Sequence, residues 1–417
     1  MERRRRQNRK QALQVNSPFN AKRGKGLKKA LIVAGIAVAV IALVLVAAWL
    51  GLLNIPGVTP QQQEPTAPVQ TLPDTVVHLV AGGDLNVTDS SVAAGKTDSG
   101  YDYSKVFLDV MPVLSGADLA ILNFEGNLCG EPYGSQYASA PKQMVTALRN
   151  AGVDILQTAN SCTITGGLLG LQSTLSGIRA EGIEPLGSYA DGAEFERYGG
   201  YIIRQVRDVR IALVAFTKGM DGRGLPQGSE KCVNLLYEDY ASTYQTVNEA
   251  GITEVLRAAE AQKPDVTVAL LHWGSEFNDQ ISKSQKKIVE LMQAEGVDAI
   301  IGTHSHYVQQ MILDESTGSF VAYSLGDFFG DGEKSGTNYS VLLDLEITKD
   351  GTTGKTAITG FDYTPIFMAR EETGTRILRI PQAITAFENS SLGRVSQQTY
   401  EAMKSALARI ESRVTKE

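Results

Sequence analysis

The chain has 417 residues, with 39 Lys and Arg against 46 Asp and Glu and a formal charge of −7. The first 29 residues carry eleven of the basic residues and one of the acidic ones, which leaves 28 against 45 and a charge of −17 in the remainder. That remainder has no general means of holding a polyanion, so contact with nucleic acid or an acidic polymer would need a metal or a local basic pocket, and no nucleic-acid partner is expected.

The elements are predicted in chain order as follows. Residues 1–29 form a basic tail, with Arg3 to Arg6, Arg9, Lys10, Lys22, Arg23, Lys25, Lys28 and Lys29. The run from Ala30 to Leu53 has no charge and no proline; as a helix it reaches ~36 Å, against ~30 Å of hydrocarbon. Its length exceeds the ~7–15 apolar residues of a cleaved signal, and no small-x-small cleavage site follows, so it is read as a retained transmembrane helix. Positive charge before the span keeps the N-terminus in the cytoplasm and sends the C-terminal domain outside, a single-pass protein of the cell membrane. Residues 54–74 are rich in Pro, Gln and Thr and are expected to form an extended tether.

Folding is predicted to begin at Thr75. A helix-period segment, an Asp step and a short apolar run recur at 117–126, 151–162, 264–276 and 296–306, the pattern of an α/β layered domain. The helix before the third run places Ile252, Val255, Leu256 and Ala259 on one face. The stretches 339–347 and 356–365 alternate at period two and read as antiparallel strands. A domain over 75–370 and a helical tail over 371–417 are expected, the tail helix burying Tyr400, Met403, Leu407 and Ile410 on the domain surface. Three cysteines at unpatterned spacings, Cys129, Cys162 and Cys232, allow at most one bridge.

Ligands of open α/β sheets gather beyond the strand C-termini, and the polar residues of this chain collect there. The strand ends yield Asp84, then Asn123 and Glu125, then Asn160-Ser161-Cys162, then His272-Trp273-Gly274, then Gly302-Thr303-His304-Ser305-His306; three of the four histidines lie among them. Mixed oxygen and nitrogen donors of this kind hold Mn, Fe or Zn, singly or as a pair.

These motifs resemble the CapA-like capsule-synthesis family, which includes the poly-gamma-glutamate capsule proteins and lies in the calcineurin-like metallophosphoesterase superfamily. The resemblance runs through AGGDLNVTDS at 81–90, DLAILNFEGNL at 118–128, QTANSCTITGG at 157–167, LHWGSEF at 271–277, IIGTHSHYVQQ at 300–310 and YSLGDFF at 323–329. It implies a calcineurin-like layered β-sandwich flanked by helices, a divalent-metal site at Asp84, Glu125, Asn160, His272, His304 and His306, and a role in making or exporting a cell-envelope polymer together with a membrane synthesis or export complex. The family's Asn-Asn-His motif is replaced here by Asn160-Ser161-Cys162, its YSLGN by a segment ending in Asp327, and two further family positions by Thr88 and Thr165. The altered motif removes the expected acid, so no catalytic residue is assigned.

Overall fold

A computed structural model describes residues 24–50, 52, 72–391 and 395–414. Most of the basic tail and of the tether expected at 54–74 lies outside these residues. The chain divides into two units, Met1–Gln70 and Thr71–Glu417.

In the first unit Gly24–Trp49 forms one α-helix of 26 residues, beginning earlier than the apolar run because Lys25, Lys28 and Lys29 are themselves good helix formers. Residues 51 and 53 of the expected span lie outside the described residues. Among the described residues no helix is long and apolar enough to cross a membrane.

The second unit is built on two mixed sheets. In the larger, the strands run in the order Gly374–Arg379, Thr356–Glu371, Tyr339–Lys349, Thr75–Asn86, Leu119–Glu125, Ile155–Gln157, Glu184–Leu186, with the short strand Asp327–Phe329 also paired to Thr75–Asn86. The smaller runs Met311–Asp314, Ser319–Ala322, Ala299–Thr303, Val266–His272, Val209–Thr217, Tyr201–Val206. Alternation along each strand gives every sheet two apolar faces. Leu79, Ile121, Leu213, Val268 and Ile301 meet in one core between the sheets. The opposite faces are covered by helices: Met144, Val145 and Leu148 pack with Ala120 and Leu122, and Ile252, Val255 and Ile288 pack with Val214 and Ala269.

Local chemistry sets these helix limits. Asn248 caps Glu249–Glu260 by accepting from the Gly251 N–H, and Ser282 and Gln285 form a reciprocal capping box at Lys283–Ala294. All four residues expected on the buried face, Ile252, Val255, Leu256 and Ala259, are buried.

The structure departs from the expected edge at residue 370. The strand Gly374–Arg379 pairs antiparallel with Ile366–Glu371, so the edge falls inside a hairpin of the larger sheet. Met403, Ala406 and Ile410 of the helix Gln397–Arg413 then enter the core between the sheets, rather than resting on the outer surface. Tyr400 instead stacks on Phe387 at 4.5 Å between ring centroids.

Candidate metal centre

Strand register assembles the polar rim. Asp84 has Asp327 as its Cα partner on one side and Asn123 on the other, and Asn86 stands beside Glu125. In the smaller sheet His272 aligns with Thr217 and Thr303. The Gly83-Asp84 segment passes against the 323–327 turn, where the Asp84 N–H donates to the Gly326 carbonyl at 3.0 Å. A Cβ on Gly83 would lie 1.7 Å from that carbonyl oxygen, so only glycine permits the approach. His304 and His306 both adopt left-handed backbone, with φ of 88° and 60°. Such a conformation costs on the order of 1–3 kcal/mol per residue and persists where the surrounding structure enforces it, commonly at functional sites.

The side chains interlock across the two sheets. One Asp84 oxygen accepts from Asn123 Nδ2 at 2.6 Å and the other from the His304 backbone N–H at 2.9 Å. His272 Nε2 lies 3.0 Å from Glu125 Oε1 and 3.1 Å from Ser161 Oγ, while its Nδ1 lies 3.1 Å from Thr303 Oγ1. His306 Nδ1 is 2.7 Å from Asp327 Oδ1 and 3.8 Å from Asp84 Oδ2. The ring of Phe277 stacks on His306 at 4.9 Å, and Lys334 Nζ sits 3.1 Å from the centre of the Phe277 ring. Trp273 is fully buried and donates Nε1–H to the Tyr323 carbonyl at 3.0 Å, which makes it a structural part of the His-Trp-Gly segment.

Burial governs the charge states. It pushes Asp84 up, with Glu125 adding to the effect, and pushes Glu125 up to about 7. It lowers His272 to about 4 and His304 well below the usual histidine range, so both rings are neutral near pH 7 and available as ligands. For His306 burial acts downward, but Asp327, Asp84 and Glu125 outweigh it and raise the ring to about 10. Burial raises Asp327 to about 7 against the opposing pull of His306. Cys162 packs against the helix-covered face of the larger sheet, and its thiol is pushed well above its ordinary range by burial and by Glu125. It therefore stays protonated and holds its proton too tightly to replace an imidazolium as an acid.

Glu125, His272 and His304 offer ligand atoms that all lie within 4.8 Å of one another, and so do Asp84, Glu125 and His306. The two sets share Glu125, a layout suited to a pair of ions joined by one carboxylate. Both ring nitrogens of His304 are buried without a hydrogen-bond partner. A buried polar atom left this way costs ~1–3 kcal/mol, and a divalent cation is the partner that the surrounding donors could hold, so the residues fit such an ion.

Five of the six expected ligands thus converge. Asn160 is buried close by but is engaged elsewhere: its Nδ2 donates to Asn123 Oδ1 at 3.0 Å and to the Phe124 carbonyl at 2.7 Å, and its Oδ1 accepts the Cys162 N–H at 3.0 Å. It braces the loop, and Ser161 is the residue of that motif that faces His272. The sequence reading missed Asn86 and the positioning role of Thr303, and it treated Asp327 only as a departure from a motif. Asn86 follows Asp84 by two positions, which places both on one face of an extended strand and was the available signal. Cys129 and Cys232 are free thiols. A cavity of about 470 Å³ beside Val297, Ile312 and Tyr323 shares no residue with this cluster.

Among solved structures the chain is similar to the calcineurin-like phosphoesterase YfkN from Bacillus subtilis, at 15% identity and TM-score 0.43 over 77% of this chain and 98% of that one. It is also similar to a putative 5'-nucleotidase from Staphylococcus aureus, at 12% identity and TM-score 0.45 over 81% and 58%. Among sequences it is 24% identical to the capsule biosynthesis protein CapA of Bacillus anthracis over 301 residues, covering 70% of this chain and 69% of the relative. It is 25% identical to the PGA biosynthesis protein CapA of Bacillus subtilis (strain 168) over 309 residues, covering 72% and 74%. The model of the bacterial capsule synthesis protein PGA_cap matches residues 78–331, a span that takes in every residue of the rim, and the chain belongs to that family.

Proposed function

We propose that this protein acts in the biosynthesis or export of a capsule polymer of the poly-gamma-glutamate type, from a membrane-anchored position with its C-terminal domain outside the cytoplasm, through a site holding one or two divalent ions. The observation that carries the metal centre is His304, whose two ring nitrogens are buried and unpartnered beside Glu125 and His272. Supporting the anchor are the eleven basic residues and the uncharged run that follows them. An anionic polymer or its membrane complex is the partner, because an acidic domain needs a cation to hold acidic chains. Asp84, Glu125, His272, His304 and His306 would hold Mn, Fe or Zn, and such ions supply Lewis acidity and lower the pKa of bound water.

A second reading, turnover of a phosphoester at the same site, is weighed against one local fact. Ser161 and Cys162 stand where the resembled pattern has Asn and His, and the Cys162 thiol keeps its proton. Loss of an acid or charge stabiliser lowers rates by ~10²–10⁴, so binding of polymer is the primary role and hydrolysis a slow one at most.

Metal content of the full chain in detergent, with turnover of bis-p-nitrophenyl phosphate in Mn, tests both readings. Bound metal that is lost in His304→Ala supports the centre, and a metal-free wild type sinks it. Activity gained in the double variant Ser161→Asn with Cys162→His identifies an altered enzyme, whereas wild-type turnover abolished by His304→Ala identifies an active one. External protease on intact cells should remove the C-terminal domain and spare the basic tail; the reverse pattern overturns the anchor.

A further inference from the structure

Asp327 is the rim residue that no motif explains. It opens the short strand Asp327–Phe329, which pairs in parallel with Thr75–Asn86 and makes Asp327 the Cα partner of Asp84. The carboxylate is 7% exposed, and its side-chain contacts are Asn86 Nδ2 at 3.1 Å and His306 Nδ1 at 2.7 Å. Asn86 Nδ2 also reaches His306 Nδ1 at 3.5 Å, so one amide spans the pair.

Three carboxylates, Asp84, Glu125 and Asp327, are therefore buried in one nest, and the ion pairs they make are with histidines. Buried carboxylates at this density are costly unless a cation balances them. Elsewhere a partly buried Asp is met by a permanent cation, as Asp109 is met by Arg376 at 2.8 Å. Asp327 instead faces a candidate ligand. Two donors at right angles around an ion at ~2.1 Å lie ~3 Å apart, and the 2.7 Å between Asp327 Oδ1 and His306 Nδ1 is close to that spacing.

The geometry points to Asp327 as a further metal ligand, entering beside His306 at the edge of the position that Asp84, Glu125 and His306 outline. This rests on the metal centre proposed above and extends it. The added negative charge makes that position the harder, more oxygen-rich of the two, suited to Mn over Zn, while Glu125, His272 and His304 form the nitrogen-rich one. Asn86 acts as a positioning residue that keeps the carboxylate turned toward His306.

Mn titration of the full chain in detergent, read by electron paramagnetic resonance, resolves the two positions. In Asp327→Asn, which keeps an acceptor for His306 but removes the charge, one Mn is expected to weaken by at least ~10-fold while the other is held as in wild type. Asp327→Glu should recover part of that loss. Equal affinity of wild type and Asp327→Asn for both ions overturns the assignment, since a residue that merely accepts a hydrogen bond from His306 would give that result. A wild type that binds no Mn overturns the metal centre itself and this ligand with it. Unfolding of the metal-free variants identifies any that fail to fold, and for those Asn86→Ala replaces them as the readout, with weakening of the same single ion expected and unchanged affinity overturning the assignment.

Discussion

The two halves of the rim hold their buried donors in opposite ways. On the side of His272 and His304 burial keeps the rings neutral, and the His304 nitrogens are left without partners. On the side of Asp84, His306 and Asp327 the cluster retains protons, with His306 raised to about 10 and Asp327 to about 7. In one half the rings stay uncharged and His304 is unpartnered, while the other is charged and internally paired. The lesson is that donor type sets the charge state of a buried cluster: imidazoles can be left neutral, whereas crowded carboxylates must borrow protons.

The comparison is broken most severely at the shared residue. Glu125→Gln should weaken both ions, each by more than the ~10–100-fold that loss of an outer-shell partner costs; calorimetric titration with Mn would show it, and loss of a single ion would mean that the halves do not share Glu125. Next, His304→Ala should remove one ion and leave the other, whereas His306→Ala should remove the complementary one. If both variants lose the same ion, the division into halves is wrong. A smaller effect, up to ~10-fold, is expected for Thr303→Val, which deprives His272 Nδ1 of its 3.1 Å partner and should act on the nitrogen-rich half alone.

Acidity separates the halves in sign. His272 is depressed from 6.5 to about 4, so its contribution to stability is present above pH 6.5 and is lost as pH falls through 4. Glu125 and Asp327 are raised to about 7 and His306 to about 10; their contributions are fully present below their unfolded values and are lost as pH rises through those figures. An ion replaces the retained protons, so the rise in unfolding temperature on adding Mn should be larger at pH 8 than at pH 6. An equal rise at both values would count against proton displacement. Finally, Asn160→Ala should lower stability by ~1–3 kcal/mol by leaving the Cys162 N–H without its acceptor, with ion affinity changed less than in His304→Ala; denaturant melts beside the Mn titration would tell a brace from a ligand.

The layered α/β core and the convergence of Asp84, Glu125, His272, His304 and His306 were legible because they depend on local pattern: apolar runs that end in polar residues, and ends that align once the strands pair. Asn160 was misleading because hydrogen bonds to Asn123 and Phe124 across a strand pair decide which way an amide turns, and spacing carries no record of that. Asp327 looked like a motif variant because its neighbour Asp84 is far away along the chain and is brought close by parallel pairing alone. The edge at 370 was misplaced for a similar reason. Glu371 and Gly374 pair across a tight turn, and the turn resembles a domain end when its partner strand is not recognised.

The late contribution of the C-terminal helix has a consequence in time. Its Ile410 closes the core beneath the sheets, and Arg413 donates to the Val308 carbonyl at 3.4 Å, two residues beyond His306. The first rim residue, Asp84, is thus made more than 300 residues before the side chains that complete its surroundings. Contacts of such long separation form slowly. An emerging chain carries every rim residue once Asp327 is made, whereas the helix that supplies Met403, Ala406 and Ile410 to the core between the sheets follows later. The last helix would therefore act on the rim through the packing beneath Val308 rather than through a ligand of its own.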